Sequence, residues 1–219
     1  MSYLSNLYRV RFGEDDIKRK EKVWKVLCEQ FFQKFIPENA TVLDIASGYG
    51  EFSRYIVASK KIAIDLNEES RLFIDKGTDF YLTSADNLNM IPDGAIDVCF
   101  SSNFFEHLPS KDAMNNVLLE AKRVLKIGGL YISMQPNIRY EPGKYWDYYD
   151  HILPLSHMSC REAFLNSGFE VVALYDKFIP FSTSSKLPQH PLLVKIYLKI
   201  RPLWRIFGGQ FLLVARKIK

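Results

Sequence analysis

The stretch Thr41–Phe52 constrains the fold of this chain more than any other part of the sequence. An apolar run rich in β-branched residues ends around Asp44, and a turn of small residues then leads through Gly48 and Gly50. A helical pattern begins directly afterwards, so the stretch predicts a buried strand, a tight turn and a helix start. Because glycine has no Cβ, the turn lets the backbone approach a ligand closely, and the free N–H groups of the helix start point toward the same place.

Two details of the turn indicate which ligand it accepts. The dinucleotide fingerprint G-x-G-x-x-G fails because Ser53 stands where its third glycine would be, so a nicotinamide oxidoreductase is the least favoured class. Asp44 opposes a pyrophosphate but suits a ligand with a cationic end, such as the sulfonium and ammonium groups of S-adenosylmethionine. The stretch resembles motif I of the class I S-adenosylmethionine-dependent methyltransferases, although Ala46 stands where that family usually has glycine. A structural turn in an unrelated α/β fold is the alternative.

Further elements of that family follow in order along the chain. The second predicted strand, Lys61–Leu66, contains Asp65 near its end, and a carboxylate there can accept hydrogen bonds from both ribose hydroxyls. The resemblance implies that Asp86 accepts from the adenine amino group and that the backbone N–H of Asn87 faces the ring, with an Asx turn as the alternative. The segment Arg123–Gly129 is similar to the element that follows the family's fourth motif.

The resemblance implies S-adenosylmethionine as the cofactor and a set of residues that bind it. These residues are Asp44, Ala46, Gly48, Gly50, Asp65, Leu66, Asp86, Asn87 and Asn103. It also implies an α/β fold with a doubly wound, mostly parallel seven-stranded sheet, an antiparallel last strand and helices on both faces. We expect residues 1–219 to form a single methyltransferase domain. Its expected parts are an N-terminal helical cap at 1–38, a cofactor-binding half at 39–135, and a substrate-binding half at 136–219 with a helical insertion at 185–208.

Other elements are predicted from ordinary helix and strand signals. The predicted helices include Asn67–Lys76 and Ser110–Lys126, and the last two predicted strands are Phe169–Tyr175 and Gln210–Lys217. Asn67 is the expected N-cap of the first of these helices, and Gly128 and Gly129 are expected to form the C-cap of the second. Ser159–Glu162 is predicted to be a capping box that starts a short helix.

Two histidines are candidates for catalysis. His107 lies in Glu106–Leu108, directly after the fourth predicted strand, and open parallel sheets bind ligands beyond the carboxyl ends of their strands. Its pKa range suits a general base, while a packed, hydrogen-bonded loop histidine is the alternative. His151 follows Asp150, which could orient its imidazole for the same role. The spacing of His151 and His157 is not a compact metal motif and no cysteine pair is present, so no metal is predicted.

The polar and aromatic segment 135–151 is the predicted acceptor site. Its four tyrosines and one tryptophan, beside Asp, Arg and Lys, suit stacking on a sugar ring or a flat polar molecule; a packed excursion between two elements is the alternative. With an activated methyl donor, the protein mainly supplies alignment, and an oxygen acceptor must also lose its proton. We expect O-methylation of a small or glycan-like acceptor. The layout, including 187–193, is similar to methyltransferases of bacterial polysaccharide biosynthesis.

Residues 192–207 form a basic amphipathic helical pattern that Pro202 should kink. Such a helix can lie on an anionic membrane, pack on its own domain, or pair with a second copy of the chain in a homodimer. Membrane contact would suit a rival function, the methylation of a lipid or quinone. A second rival is a catalytically silent protein that binds the cofactor and acts as a scaffold.

Composition indicates which partners and which cellular compartment are expected for this chain. The net charge of +4 is too small to indicate nucleic acid as a partner. No apolar stretch is long enough for a transmembrane helix, and the polar start of the chain does not predict a signal peptide. The cysteines Cys28, Cys99 and Cys160 form no C-x-x-C pair and are expected to be reduced, as in a cytoplasmic protein.

Overall fold

A seven-stranded sheet forms the centre of the computed structural model, which describes residues 14–180 and 190–219. In chain order the strands are β1 (Thr41–Ile45), β2 (Lys60–Asp65), β3 (Thr78–Leu82), β4 (Ile96–Ser102), β5 (Leu125–Pro136), β6 (Phe169–Tyr175) and β7 (Gln210–Lys217). Their order across the sheet is β3-β2-β1-β4-β5-β7-β6. Strands β1 to β5 pair in parallel, and β7 runs antiparallel between β5 and β6. This architecture confirms the predicted fold class.

The order of the strands creates a crevice beside β1. From β1 the chain moves outward to β2 and β3 on one side and then returns to β4 on the other side. Ile45 at the end of β1 pairs with Ser101 near the end of β4, so the connections that leave these two strands start side by side and diverge. Open α/β sheets bind their ligands at such a point.

Helices cover both faces of the sheet. The α-helices in the described residues are α1 (Glu14–Gln30), α2 (Glu51–Tyr55), α3 (Lys111–Val124), α4 (Pro142–Tyr145), α5 (His157–Asn166), α6 (Pro191–Lys199) and α7 (Arg201–Phe207). Short 3₁₀ helices lie at Phe32–Phe35, Glu68–Leu72 and Phe105–His107. Several of these elements are only one or two turns long, so their positions depend on tertiary packing more than on helix propensity.

Two apolar cores lie on opposite faces of the sheet, because successive residues of a strand point to opposite sides. One core contains Leu43 and Cys99 together with residues of α3 and α5. The other contains Val42 and Phe100 together with residues of α1, α6 and α7. In this second core the rings of Phe52 and Phe100 are stacked with their centroids 3.7 Å apart, which packs α2 against the sheet.

The helix predicted at Asn67–Lys76 is wrong in its length. Only Glu68–Leu72 forms a helical turn, although Asn67 caps it as predicted by accepting a backbone N–H bond at 3.2 Å. The helical turn ends at Leu72, and the carboxylate of Asp75 then accepts a hydrogen bond from the hydroxyl of Thr78. Local side-chain bonds of this kind compete with helix continuation.

Gly128 and Gly129 do not end a helix, which corrects the second helix prediction. α3 ends at Val124, and β5 begins at the next residue in extended backbone. Both glycines lie inside β5, where pairing with β4 jumps from Leu125 to Leu130. Gly128 has a φ of +82°, and a Cβ on Gly129 would lie 2.9 Å from a backbone oxygen, so this bulge requires glycine.

Two further helix ends differ from the predictions. The capping box consists of Ser156 and Ser159 rather than Ser159–Glu162, because the hydroxyl of each of these serines accepts the backbone N–H of the other, at 2.9 and 3.2 Å. α5 therefore begins about one turn earlier than expected. The amphipathic stretch is divided at Ile200 into α6 and α7, and Pro202 lies in the first turn of α7, where its missing N–H is tolerated.

The remaining sequence expectations concern single features. The strands predicted at Phe169–Tyr175 and Gln210–Lys217 match β6 and β7 in both bounds. The three cysteines are buried free thiols. Within residues 14–180 and 190–219, no helix has the length and apolar character that crossing a membrane requires.

The backbone at Gly50 predicts a measurable difference between two glycine substitutions. Gly50 has a φ of +69°, and a Cβ on it would lie 2.6 Å from Cδ1 of Ile74; Gly94 has a φ of +62°, but a Cβ there would meet nothing within 4 Å. We expect Gly94→Ala to cost about 1 kcal/mol of unfolding free energy from its left-handed backbone. Gly50→Ala should cost about 1–3 kcal/mol more, because overpacking adds to the strain. Urea unfolding measures both, and equal losses would contradict the packing role of Gly50.

Candidate active site

A cavity of about 1100 Å³ opens at the carboxyl ends of β1, β2 and β4. Pockets for one small ligand measure about 300–1,000 Å³, so this cavity has room for a cofactor and an acceptor together. The predicted site residues in its wall are Asp44, Ala46, Gly48, Asp65, Leu66, Asp86, Asn103, His107 and His151. The predicted site residues outside its wall are Gly50 and Asn87.

The turn after β1 has an uncommon backbone conformation. Ala46, Gly48 and Gly50 all have positive φ, at 56°, 55° and 69°. The N–H of Ser47 donates to the carbonyl of Ile64 at 3.0 Å, which ties the turn to β2. A residue with a Cβ costs about 1–2 kcal/mol in left-handed backbone, so Ala46 carries a strain that the glycine of motif I avoids.

Gly50 shapes the turn without facing the cavity. It stands as the N-cap of α2, and the space that a Cβ would occupy is taken by the side chain of Ile74. The absence of a Cβ therefore lets the start of α2 approach the segment after β2. This packing explains the glycine at position 50, which is not among the residues of the cavity wall.

Asp44 is buried at the end of β1, with 3% of its surface exposed. Its Oδ2 and the hydroxyl of Ser47 have no hydrogen-bond partner in the part of the chain that the structure describes. Burial raises the pKa of Asp44 to about 8; hydrogen bonds from Ser53 act in the lowering direction, and the charges of Glu51 and Asp65 raise it further. Buried polar atoms without partners are rare. These atoms fit a ligand that brings hydrogen-bond donors and positive charge, as the amino-acid end of S-adenosylmethionine does.

Asp65 ends β2 with its carboxylate fixed by two backbone groups. Its Oδ2 accepts the N–H of Gly48 at 2.8 Å, and its Oδ1 accepts the N–H of Asn67 at 2.7 Å. Burial raises the pKa of Asp65, while these backbone bonds act in the lowering direction. Each oxygen retains a further acceptor position. Leu66 follows in the cavity wall and is 62% exposed.

Asp86 and Asn87 belong to a local turn. Asp86 lines the cavity, and one of its carboxylate oxygens accepts a hydrogen bond from the hydroxyl of Ser84. The N–H of Asn87 donates to the carbonyl of Ser84 at 3.0 Å, and its own carbonyl accepts from Thr83 at 2.9 Å. The N–H that the resemblance directed at the adenine ring is therefore used inside the turn, which corrects the prediction for Asn87. Asp86 remains at the cavity as predicted.

A buried amide fixes the loop after β4. Gln135 on β5 donates through Nε2 to the hydroxyl of Ser133 at 3.0 Å and accepts the N–H of Phe104 through Oε1 at 2.8 Å. The N–H of Asn103 donates to the carbonyl of Met134 at 3.0 Å. Asn103 itself has a φ of 47° and lies in the cavity wall. These bonds set the direction in which the following residues enter the site.

Glu106, His107 and His151 meet at the cavity wall. The rings of the two histidines have their centroids 5.0 Å apart, and Nε2 of His107 lies 3.8 Å from Oε1 of Glu106. Nδ1 of His107 lies 3.1 Å from both the carbonyl oxygen and Oδ2 of Asp150. The backbone N–H groups of residues 152–153 donate to the carbonyl of Glu106 at 2.7 and 3.0 Å, which joins the two loops. The structure thus brings the two predicted catalytic histidines together.

The surroundings of His107 raise its pKa, whereas the surroundings of His157 lower its pKa. Burial by itself lowers the pKa of His107, but the hydrogen bond with Asp150 and the charge of Glu106 outweigh it, so the net shift is upward. Burial lowers the pKa of His157, whose Nδ1 lies 3.0 Å from the amide nitrogen of Asn137. His157 lies outside the cavity wall.

Only part of the aromatic segment 135–151 faces the cavity. Tyr148 and Tyr149 line it, and Tyr149 is 86% exposed. Tyr145 is fully buried, and Tyr140 lies outside the cavity wall. The segment therefore combines both alternatives from the sequence, since one part is available to a ligand and another part is packed.

Sequence reasoning missed several residues of the cavity wall, among them three from parts of the chain distant from the predicted cofactor motifs. Lys20 and Trp24 come from α1, and Gln210 is the first residue of β7. Nζ of Lys20 lies 3.6 Å from Oε1 of Glu51, which links α1 to the start of α2. The apolar periodicity of α1 predicts only that it packs. Which cavity it covers depends on docking between distant segments, and no local signal carries that information.

Residues 43–133 match the family model described as a methyltransferase domain. The matched segment runs from β1 into β5 and includes the turn after β1, Asp65 and the loop with Glu106 and His107. Residues 43–133, which are fewer than half of the 219 residues, are therefore identified as a methyltransferase domain. A comparison with curated proteins found no match.

Solved structures share this fold over most of the chain. An S-adenosylmethionine-dependent methyltransferase from Archaeoglobus fulgidus has 19% identity and a TM-score of 0.68, covering 99% of this chain and 100% of that one. A chain of the Haloferax volcanii complex between the Trm112 methyltransferase activator and a methyltransferase has 20% identity and a TM-score of 0.67, covering 94% of each. A methyltransferase from Bacillus halodurans has 19% identity and a TM-score of 0.65, covering 88% and 99%. At this identity the likeness establishes the fold alone.

The buried carboxyl of Asp44 predicts a pH-dependent stability. Its pKa of about 8 in the folded protein lies above the value in the unfolded chain. The free energy of unfolding therefore falls as pH rises from about 4 to about 8. We expect Asp44→Asn to show a flatter pH profile than the wild type, and to bind S-adenosylmethionine at least about tenfold more weakly near pH 8. Melting curves and calorimetric titration measure the two effects. Asp79→Asn, at an exposed position outside the cavity wall, is the control; an Asp44→Asn variant that behaves like it in both assays would contradict this account.

Proposed function

We propose that this chain is an S-adenosylmethionine-dependent methyltransferase that transfers the methyl group to a hydroxyl oxygen of a small, glycan-like acceptor. The observation that carries the proposal is the meeting of Glu106, His107 and His151 in the wall of the same cavity as Asp44 and Asp65. An oxygen acceptor must lose its proton when it is methylated, and this cluster offers groups that can promote the loss.

For the cofactor, we assign Asp44 and Ser47 to its positively charged amino-acid end and Asp65 to its ribose hydroxyls. Support comes from the buried Asp44 Oδ2 and Ser47 Oγ, which have no partner among the described residues, and from the acceptor positions that Asp65 retains. The other residues of the proposed contact set are Ala46, Gly48, Leu66, Asp86 and Asn103.

When bound, S-adenosylmethionine supplies a methyl group already activated on a sulfonium. The protein then has to hold the acceptor oxygen in line with that methyl group and to promote loss of the hydroxyl proton. We propose His107 and His151 as the catalytic residues for the second task. His107 is oriented by Asp150 at 3.1 Å, and the ring of His151 is stacked on that of Tyr148 with centroids 4.9 Å apart.

The proposed acceptor class rests on the part of the cavity wall that follows β5. Tyr148 and Tyr149 line the cavity there, and aromatic rings suit stacking on a sugar ring. The proposed link to bacterial polysaccharide biosynthesis rests on the sequence resemblance that includes 187–193, of which 187–189 lie outside the described residues. A cytoplasmic site of action without a nucleic-acid partner belongs to the same proposal, and the net charge of +4 and the buried free thiols support it.

A second candidate function is methylation of a lipid or quinone at a membrane surface. α6 and α7 pack Leu198 and Trp204 into a core, and Val194 and Tyr197 pack against it. Six apolar side chains of this stretch are exposed: Leu192, Leu193, Ile196, Ile200, Ile206 and Phe207. Lys199 and Arg205 on the same helices are exposed as well. An apolar strip with positive charge beside it suits an anionic lipid surface. A second copy of the chain, forming a homodimer, is the other occupant that would cover it.

An acceptor screen tests the proposed function. Purified protein and S-adenosylmethionine are incubated with nucleotide sugars and oligosaccharides, and separately with quinols or polyprenyl lipids in vesicles of phosphatidylcholine and phosphatidylglycerol. We expect the demethylated cofactor to form with hydroxylated sugars, without vesicles, and His107→Gln to slow the transfer by about 10²–10⁴-fold. His190→Gln lies outside the cavity wall and is the control.

The other possible results of the screen would each contradict the proposed function, and two of them would favour a rival function. Transfer only to vesicle-bound quinols or lipids would replace the proposal with the membrane-surface function. Cofactor binding without transfer to either acceptor pool would favour the catalytically silent scaffold. Transfer to an amine in preference to every hydroxyl would contradict the assignment of oxygen as the acceptor atom.

A further inference from the structure

Glu106, His107 and His151 form a cluster whose potential metal-ligand atoms, one from each residue, all lie within 4.8 Å of one another. Glu106 is 2% exposed and His151 is 8% exposed, so most of the cluster is shielded from bulk water. The sequence places His107 and His151 far apart, and the prediction of no metal rests on the spacing of His151 and His157 and on the lack of a cysteine pair. The proximity of His107 and His151 results from the joining of two loops at the cavity.

His107 is oriented in the way that metal-binding histidines usually are. Its Nδ1 lies 3.1 Å from Oδ2 of Asp150 and 3.1 Å from the carbonyl oxygen of the same residue. With a proton on Nδ1 donated to Asp150, the lone pair of Nε2 faces the cluster, where Nε2 lies 3.8 Å from Oε1 of Glu106. A carboxylate that fixes the second nitrogen of a histidine is the common outer partner of a metal ligand.

The ring of His151 and the backbone of Glu106 are also held in place. The ring of His151 is stacked on that of Tyr148 at 4.9 Å and packs edge-on against that of Tyr145 at 4.8 Å. Glu106 belongs to the 3₁₀ turn that residues 152–153 bind through their N–H groups. Donor atoms around one ion lie about 3.3 Å apart for bonds of about 2.0–2.1 Å, so binding requires side-chain shifts on the order of 1 Å.

We propose that Glu106, His107 and His151 bind one divalent first-row transition-metal ion, and that the acceptor hydroxyl is a further ligand of that ion. Two imidazole nitrogens and one carboxylate oxygen suit Zn²⁺, Co²⁺ or Fe²⁺ better than Mg²⁺ or Ca²⁺, which prefer oxygen ligands. Three protein ligands leave a coordination position open toward the cavity, as in catalytic metal sites.

This inference deepens the proposed function and rests on it. A hydroxyl bound to the metal is more acidic, and its proton passes to water in the cavity. The oxygen attacks the sulfonium methyl group: the O–CH₃ bond forms as the S–CH₃ bond breaks, and the electron pair of the broken bond stays on sulfur, which becomes a neutral thioether. His107 and His151 then promote proton loss as metal ligands, and no second base is required at the hydroxyl.

Titration of metal-stripped protein with Co²⁺, followed by calorimetry and by visible absorption, tests the inference. We expect one Co²⁺ per chain, with an absorption spectrum distinct from that of the aqueous ion. Glu106→Gln and His151→Gln should each weaken binding by at least about tenfold, because each removes a ligand. His157→Gln and His190→Gln replace the remaining two of the four histidines and should leave binding unchanged.

Melting curves establish which variants fold, and the wild-type spectrum does not depend on any variant. A wild-type protein that binds neither Co²⁺ nor Zn²⁺ stoichiometrically would overturn the inference. So would binding that survives both Glu106→Gln and His151→Gln. The acceptor screen separates the two proposals: transfer to hydroxyls that is unaffected by metal removal leaves the proposed function standing and removes this inference. Stoichiometric metal binding with transfer to no hydroxyl supports the metal site and removes the proposed function.

Discussion

The turn between β1 and α2 is the constraint on which the rest of the site depends. Left-handed backbone at Ala46, Gly48 and Gly50 turns the chain at the end of β1, and Asp65 holds the turn from β2 through the N–H of Gly48. The same turn buries Asp44 with one oxygen that has no partner in the described residues. Strained backbone and a buried carboxyl both lower stability, and a bound ligand with donors and positive charge offsets that loss.

The acceptor side depends on a second coupling, between the loop after β4 and the segment after β5. Gln135 fixes the first loop through the N–H of Phe104, and the carbonyl of Glu106 accepts two N–H groups from the second segment. These contacts bring His107 and His151 to one wall of the cavity. Because both loops start from neighbouring parallel strands, the cofactor turn and the histidine cluster share a single cavity.

The features of the fold and site that could be predicted are those that neighbouring residues in the sequence determine. Asp44 and Asp65 could be found because each lies near the carboxyl end of an apolar strand, and the bounds of β6 and β7 follow from short runs of apolar residues. The C-cap prediction at Gly128 and Gly129 failed because these glycines belong to a bulge, which depends on pairing with β4. Lys20 was missed as a cavity residue for a similar reason, since its place depends on how α1 docks. Long-range contacts of this kind leave no pattern in a single sequence.

Calorimetric titration with S-adenosylmethionine tests the central claim most directly, namely that the cavity binds this cofactor with Asp65 on its ribose. The account predicts a dissociation constant of about 1–100 μM for the wild type. It predicts at least about tenfold weaker binding by Asp65→Asn, whose amide can keep one backbone hydrogen bond but cannot accept from both hydroxyls. Asp79→Asn, at an exposed position, should bind as the wild type does. No binding by the wild type, or equal binding by all three proteins, would contradict the account.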